Sequence, residues 1–320
     1  MDFPSKKYQR ILLNYKEKAA KATIKTALRS SFKLPSGLPV PLSILRGAME
    51  LSSGLFQTRS DVHVESLTLG GVPVEQLTAK SQLNGNTQSN YALLHFHGGV
   101  FFAGSVRTHR ALGSEIAARS GATVYMLDYR LAPKHRYPDA LDDCLAAYYA
   151  LLMKGYLPEQ IILGGDSAGG SLVLAVLVAL REQKVSLPAA ALMISPFVDM
   201  TLCADSFVKN KSRDPMLTKE ILQRGADAYR GEIESHDSRI SPVFADLKGL
   251  PPMLIQVGSE EILLDDSQQL AKRAERSGVK VDCHVYGGMW HNFQMFNALL
   301  KTSDEALDEI AAFIKSHVNT

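Results

Sequence analysis

A chain of 320 residues, 46% of them hydrophobic and 21% charged, can bury one large core, with or without a smaller cap. A formal net charge of +2 gives no strong field to attract nucleic acid or an acidic partner. Three widely spaced cysteines, Cys144, Cys203 and Cys283, form no C-x-x-C pair, which argues for a reducing, cytoplasmic setting and against a disulfide framework or zinc site.

The first segment, from Lys6 to Lys33, is lysine-rich, with Glu17 as its only acid and Ile11, Leu12, Tyr15, Ala19, Ala22 and Leu28 at roughly helical spacing. It lacks the continuous apolar core of a secretory signal. A solvated helix packed on its own domain is the favoured reading, ahead of a helix lying on an anionic membrane or a transit peptide. Pro35, Pro39 and Pro41 are expected to break it. From Val62 the pattern alternates, and Gly70-Gly71 between Val62–Leu69 and Val72–Thr78 predicts a hairpin. Asn84-Gly85-Asn86 is expected to be a loop. Strand-like runs follow at Ala92–Phe96, Thr123–Leu127, Ile161–Leu163, Ala190–Ile194, Met253–Val257 and Val281–Tyr286. Between and after them, 107–119, 138–154, 265–276 and 303–317 have helical character. Alternating strands and helices predict an α/β fold with a mostly parallel sheet covered on both faces, and ligands then bind beyond the strands' C-terminal ends. The longest apolar run, Ser171–Leu180, is too short to span a bilayer, so no stable membrane insertion is expected.

Just before that run, Gly165-Asp166-Ser167-Ala168-Gly169 spells G-x-S-x-G between a short apolar strand and a long apolar helix. A serine on so abrupt a turn is forced into a strained conformation that exposes its hydroxyl, with the helix N-terminus aimed at the same place. The plainer alternative is a serine that caps the helix. Upstream, His97-Gly98-Gly99-Val100 follows directly on a predicted strand. Adjacent glycines let the backbone N–H groups of Gly98 and Gly99, joined by that of Ala168, surround a carbonyl oxygen. His95 and His97 share a strand face, but no acids or cysteines gather with them, so no metal is expected, nor any other cofactor. His97 is expected to support the loop by a hydrogen bond. His291, in the loop after the last predicted strand, can swing an imidazole over the sheet edge and serve as a base. The preceding strand is followed by Glu260, Glu261, Asp265 and Asp266, all candidates for the carboxylate that orients it.

Taken together, the H-G-G loop, G-x-S-x-G, and then acid and histidine resemble the α/β-hydrolase fold, and more narrowly the bacterial GDSAG carboxylesterases of the hormone-sensitive-lipase-like family. Asp128-Tyr129-Arg130-Leu131-Ala132-Pro133, Tyr137-Pro138 and Ser212-Arg213-Asp214-Pro215-Met216-Leu217 add to the likeness, which runs from about Val62 to His317. The resemblance implies an eight-stranded sheet with helices on both faces and a helical cap. The N-terminal residues 1–58 and an insertion at 202–235 would form that cap, over a core built from 59–201 and 236–320. It places the triad acid at Glu261, the first position of Glu261-Ile262-Leu263-Leu264-Asp265, where most of the family carry aspartate; Asp265 is held in reserve. Arg130 and Asp214 are read as supports for loops near the site.

The expected activity is that of a serine carboxylesterase, with Ser167 as nucleophile, His291 as base, Glu261 orienting it, and Gly98, Gly99 and Ala168 binding the oxyanion. Phe101, Phe102, Trp290 and Phe293 flank this site and either line an acyl pocket or pack in the core. The resemblance and a capped pocket point to small, short-chain esters as substrates. Lactone or amide hydrolysis on the same triad, and a ligand-binding relative without catalysis, are the alternatives. The oligomeric state stays open, a homodimer included.

Overall fold

The computed structural model describes residues 8–11, 17–84 and 89–318. Nine strands form one sheet among these residues: β1 (Tyr8–Ile11), β2 (Val62–Leu69), β3 (Val72–Ala79), β4 (Ala92–Phe96), β5 (Thr123–Leu127), β6 (Ile161–Asp166), β7 (Ala190–Ile194), β8 (Met253–Gly258) and β9 (Val281–Tyr286). Their spatial order is β1-β9-β8-β7-β6-β4-β5-β3-β2. The β2–β3 hairpin pairs antiparallel and joins β5 antiparallel, while every other neighbour is parallel. The eight-stranded sheet that the resemblance implies is therefore β2 to β9, and Tyr8–Ile11 extends it along β9.

The central strands read as unbroken apolar runs because both faces are covered. Every residue of β4, β5, β6 and β7 is buried. Successive side chains point to opposite faces, so Leu93, Val124, Ile162 and Leu192 pack with Leu112 and Ile116 of helix 106–120 and Leu307 and Ile310 of helix 301–318. Leu94, Tyr125, Leu163 and Met193 pack instead with Cys144 and Tyr148 of helix 139–153, Val173 and Leu177 of helix 168–182, and Leu270 of helix 264–276. At about 25 cal/mol per Å² of apolar surface, these two layers supply the main stabilisation.

The sheet winds outward in both directions from β4. Its successor β5 lies on one side, and the chain then returns to place β6 on the other. The gap beyond the C-terminal ends of β4 and β6 is the switch point of the sheet, where open α/β folds leave a crevice.

The N-terminal segment departs from the expected helix in part. Tyr8–Ile11, Ile11 included, is extended and pairs with Cys283–Tyr286, because the exposed edge of β9 offers unpaired backbone groups that an extended strand satisfies. Leu12 and Tyr15 lie outside the described residues. Helix 17–28 runs on through a wider turn at Arg29–Lys33 to Ser36, so it ends at Gly37 and not at Pro35. Pro41 then caps helix 42–52. Asn84 closes a short helix, Lys80–Asn84, and the rest of the loop expected there lies outside the described residues. The N-terminal helices lie against the 202–235 stretch. Arg224 donates to the carbonyls of Leu38 and Val40, Arg29 to that of Ser212, and Lys33 to those of Lys211 and Asp214.

Candidate active site

Ser167 sits between β6 and helix 168–182 at φ 54°, ψ −120°, a positive-φ conformation costly for any residue with a side chain. Its neighbours make the bend possible. A Cβ on Gly165 would lie 2.4 Å from the carbonyl oxygen of Gly169, and one on Gly169 would lie 1.9 Å from that of Phe96. The strain is held by the Ser167 N–H bonding the Ile194 carbonyl at 2.8 Å, and by the Ser167 carbonyl receiving the N–H of Phe197. Ser167 makes no side-chain cap on the helix, which removes the plainer reading of this serine. Its Oγ is buried and without a hydrogen-bond partner among the described residues.

The loop after β4 runs through consecutive positive-φ residues, Gly99, Val100 and Phe101. Here the structure corrects an expectation. The N–H of Gly98 donates to Asp166 Oδ1 at 3.1 Å and is not free for a ligand. Gly98 is glycine because a Cβ there would lie 2.3 Å from Asp166 Oδ2. The N–H groups of Gly99, Val100 and Ala168 take no protein partner among the described residues. Tyr129 braces the loop from below: its hydroxyl donates to the His97 carbonyl at 2.7 Å and its ring stacks on that of His97. His97 itself hydrogen-bonds the Gly98 carbonyl through Nδ1.

Asp166, the second residue of the G-x-S-x-G motif, is fully buried, and sequence reasoning gave it no role. Its carboxylate accepts from His95 Nε2, His109 Nε2, Gly98 N and Asn292 Nδ2, so it joins the glycine loop, the serine turn and the histidine loop. Burial by itself would raise its pKa, but the charge and hydrogen bonds of His109 and His95 outweigh burial and hold it well below the carboxylate range. Burial likewise disfavours the His109 cation, and Asp166 overrides it, raising the His109 pKa. The one signal in the sequence was an acid inside an apolar stretch, which must find partners in the fold.

His291 is nearly enclosed, and Asn292 beside it takes the left-handed conformation. His291 Nδ1 lies 2.9 Å from Glu261 Oε2. Glu261 is fully buried, and its Oε1 accepts from Ser195 Oγ at 2.7 Å and Gly258 N at 2.5 Å. Burial pulls the His291 pKa down, but the hydrogen bond and charge of Glu261, followed by Asp214 and Asp166, raise it above the ordinary value. Asp265, the reserve acid, faces elsewhere and accepts the N–H of Ser206 at 2.8 Å. Asp266 accepts the N–H groups of Val198 and Asp199, while Glu260 pairs with Lys25. Asp214 receives the N–H groups of Met216, Leu217 and Ile262, tying the 202–235 stretch to the loop that carries Glu261. Arg130 is held by Asp143.

Ser167 and His291 line one cavity of about 240 Å³. Gly99, Val100 and Phe102 form part of its wall, Leu45 and Met49 of helix 42–52 another, and Met216, Leu217 and Ile221 a third. Of the aromatic residues expected to flank the site, only Phe102 lines this cavity. Phe101 turns away and stacks on Tyr229 at 4.1 Å between centroids, while Trp290 and Phe293 are enclosed with Met289, Leu300 and Ala306. These three are core residues, because sequence adjacency to a site loop does not say to which side a side chain turns.

A sequence model of the α/β-hydrolase fold matches residues 93–295. An esterase of Acinetobacter venetianus is 41% identical over 290 residues, covering 90% of this chain and 94% of that protein. An acetyl-hydrolase of Streptomyces hygroscopicus is 38% identical over 229 residues, covering 72% of this chain and 77% of its own. Among solved structures, an esterase from the bacterial hormone-sensitive lipase family superposes with a TM-score of 0.88 at 36% identity, covering 97% of this chain and all of its own.

Proposed function

The chain belongs to the α/β-hydrolase fold family, among the hormone-sensitive-lipase-like carboxylic ester hydrolases, and on that premise we propose that Ser167, His291 and Glu261 form its catalytic triad. One observation carries the assignment: a buried, unpartnered Ser167 hydroxyl shares a small cavity with an imidazole whose far nitrogen is held at 2.9 Å by Glu261. Ser167 Oγ adds to the ester carbonyl carbon as His291 takes its proton. The imidazolium returns that proton to the departing alcohol oxygen when the acyl–oxygen bond breaks. Water then adds to the acyl-enzyme, with His291 as base again, and the carboxylic acid leaves. Glu261 fixes the tautomer that leaves Nε2 free to accept a proton and stabilises the cation that forms.

Gly99, Val100 and Ala168 supply the oxyanion donors in this reading, since the Gly98 N–H is spent on Asp166. Removing one such donor typically costs roughly a hundred- to a thousandfold in rate. A cavity of about 240 Å³ falls below the roughly 300–1,000 Å³ of sites for drug-sized ligands and suits short acyl chains. The helices of 17–52 and the 202–235 stretch act as its cap. Cys144, Cys203 and Cys283 are all free thiols, in keeping with a cytoplasmic setting. No helix among the described residues is long and apolar enough to cross a membrane.

The test is Ser167→Ala, assayed on aryl butyrate with thermal unfolding alongside. Hydrolysis should be lost with the melting temperature unchanged, and an organophosphonate should label the wild-type chain at Ser167 only. Turnover near the wild-type rate in the alanine variant would refute the assignment.

A further inference from the structure

Beyond the triad, a second serine touches it from behind. Ser195 follows directly on β7, is fully buried and takes φ 47°, a conformation that disfavours any side chain. Its N–H bonds the carbonyl of Gln256 on β8 at 2.7 Å, which fixes the backbone. Its hydroxyl donates to Glu261 Oε1 at 2.7 Å, on the oxygen opposite the one that faces His291. Strained non-glycine residues persist where surrounding structure holds them, and they gather at functional sites. Apart from Ser195, only the N–H of Gly258 holds that oxygen among the described residues. Glutamate carries one more rotatable bond than aspartate, so its carboxylate has an extra torsion to fix.

We propose that Ser195 is a positioning residue for the triad acid, its hydroxyl locking the Glu261 carboxylate so that Oε2 meets His291 Nδ1. The proposal rests on the triad reading above. Ser195 does not line the cavity; it acts through Glu261 alone. Without its hydroxyl the carboxylate is free to turn, and the imidazolium that forms during acyl transfer loses part of its partner. The other acids facing His291 are Asp214, held by backbone N–H groups, and Asp166, held by His95 and His109, and neither can move into the vacated place.

The experiment compares Ser195→Ala, Ser195→Gly and Glu261→Gln with wild type, in steady-state kinetics across pH and in thermal unfolding. Alanine removes the hydroxyl and keeps the backbone strain, whereas glycine removes both. Hydrogen bonds to charged groups are strong enough that kcat should fall by roughly tenfold to a hundredfold in both serine variants, with KM unchanged. The acid limb of kcat/KM should move to lower pH, because a loosened carboxylate supports the His291 cation less. Recovery of kcat in the glycine variant would trace the loss to backbone strain and overturn the proposal. So would wild-type kcat in the alanine variant, or an acid limb unmoved or moved up, which would mean the carboxylate had kept its place. Wild-type kcat in Glu261→Gln would instead overturn the triad reading itself.

Discussion

Glu261 and Asp265 stand four positions apart in one motif, yet the fold gives them different work. Glu261 turns inward to His291, while Asp265 holds the N–H of Ser206. Glu261→Gln, which cannot support an imidazolium or hold the productive tautomer, should lower kcat by roughly a thousand- to ten-thousandfold. Asp265→Asn keeps an acceptor for Ser206 and should retain most activity at some cost in melting temperature. The opposite ranking in the two kinetic series would move the acid to Asp265. Because the His291 pKa is raised, and only the neutral imidazole can accept the serine proton, kcat/KM should decline with falling pH from above the usual histidine value of 6.5.

Between elements, the fit of helix 42–52 and the 202–235 stretch against the glycine loop decides the shape of the cavity. Helix 42–52 buries none of its residues fully; it lays Leu45 and Met49 over the cavity and is pinned by Arg46, which donates to the carbonyls of Phe102 and Ala132 at 2.5 and 2.7 Å. Val100 packs against helix 219–230 at Gly225, where a Cβ would lie 2.5 Å from its side chain. The Val100 carbonyl oxygen would lie equally close, at 2.5 Å, so a smaller residue at 100 would not make room for a larger one at 225. Since one methylene in an apolar pocket is worth about tenfold or more in discrimination, Met49→Ala should raise kcat/KM for hexanoyl relative to acetyl esters by about that factor. An unchanged chain-length profile would remove Met49 from the acyl site.

At the scale of the whole molecule, acid sensitivity should trace partly to His97. Burial, followed by the nearby charge of His109, lowers its pKa from 6.5 to about 3. The unfolded chain therefore binds a proton at this residue below about pH 6.5 that the folded chain does not accept until about pH 3. Stability is lost as pH falls through that window, by an amount on the order of a few kcal/mol. His97→Asn, whose amide can still donate to the Gly98 carbonyl, should flatten the decline in urea-unfolding free energy between pH 6.5 and 4 relative to wild type. An equal decline in both chains would place the acid lability elsewhere. Asp166 works in the same direction further into acid: below the ordinary carboxyl value of 3.8 the unfolded chain takes up a proton there that the folded chain, charged beside His109, refuses.

The sequence by itself determined the strand and helix order, the strained serine turn and the position of the histidine loop. Each is a local matter: hydrophobic period, glycines where a side chain cannot fit, and place relative to a strand's end. Strands such as Thr123–Leu127 and Ala190–Ile194 were legible to the residue, because buried parallel strands are short, apolar and bounded by polar turns. Only the tertiary structure decided which N–H groups are free, since Gly98 and Gly99 look alike until Asp166 takes one of them. It likewise turned Phe102 into the cavity and Phe101, Trp290 and Phe293 into the core, and brought Ser195 from another strand to Glu261. Hydrogen bonds and packing between residues far apart in the chain depend on where whole elements come to rest, and no window along the sequence contains that information.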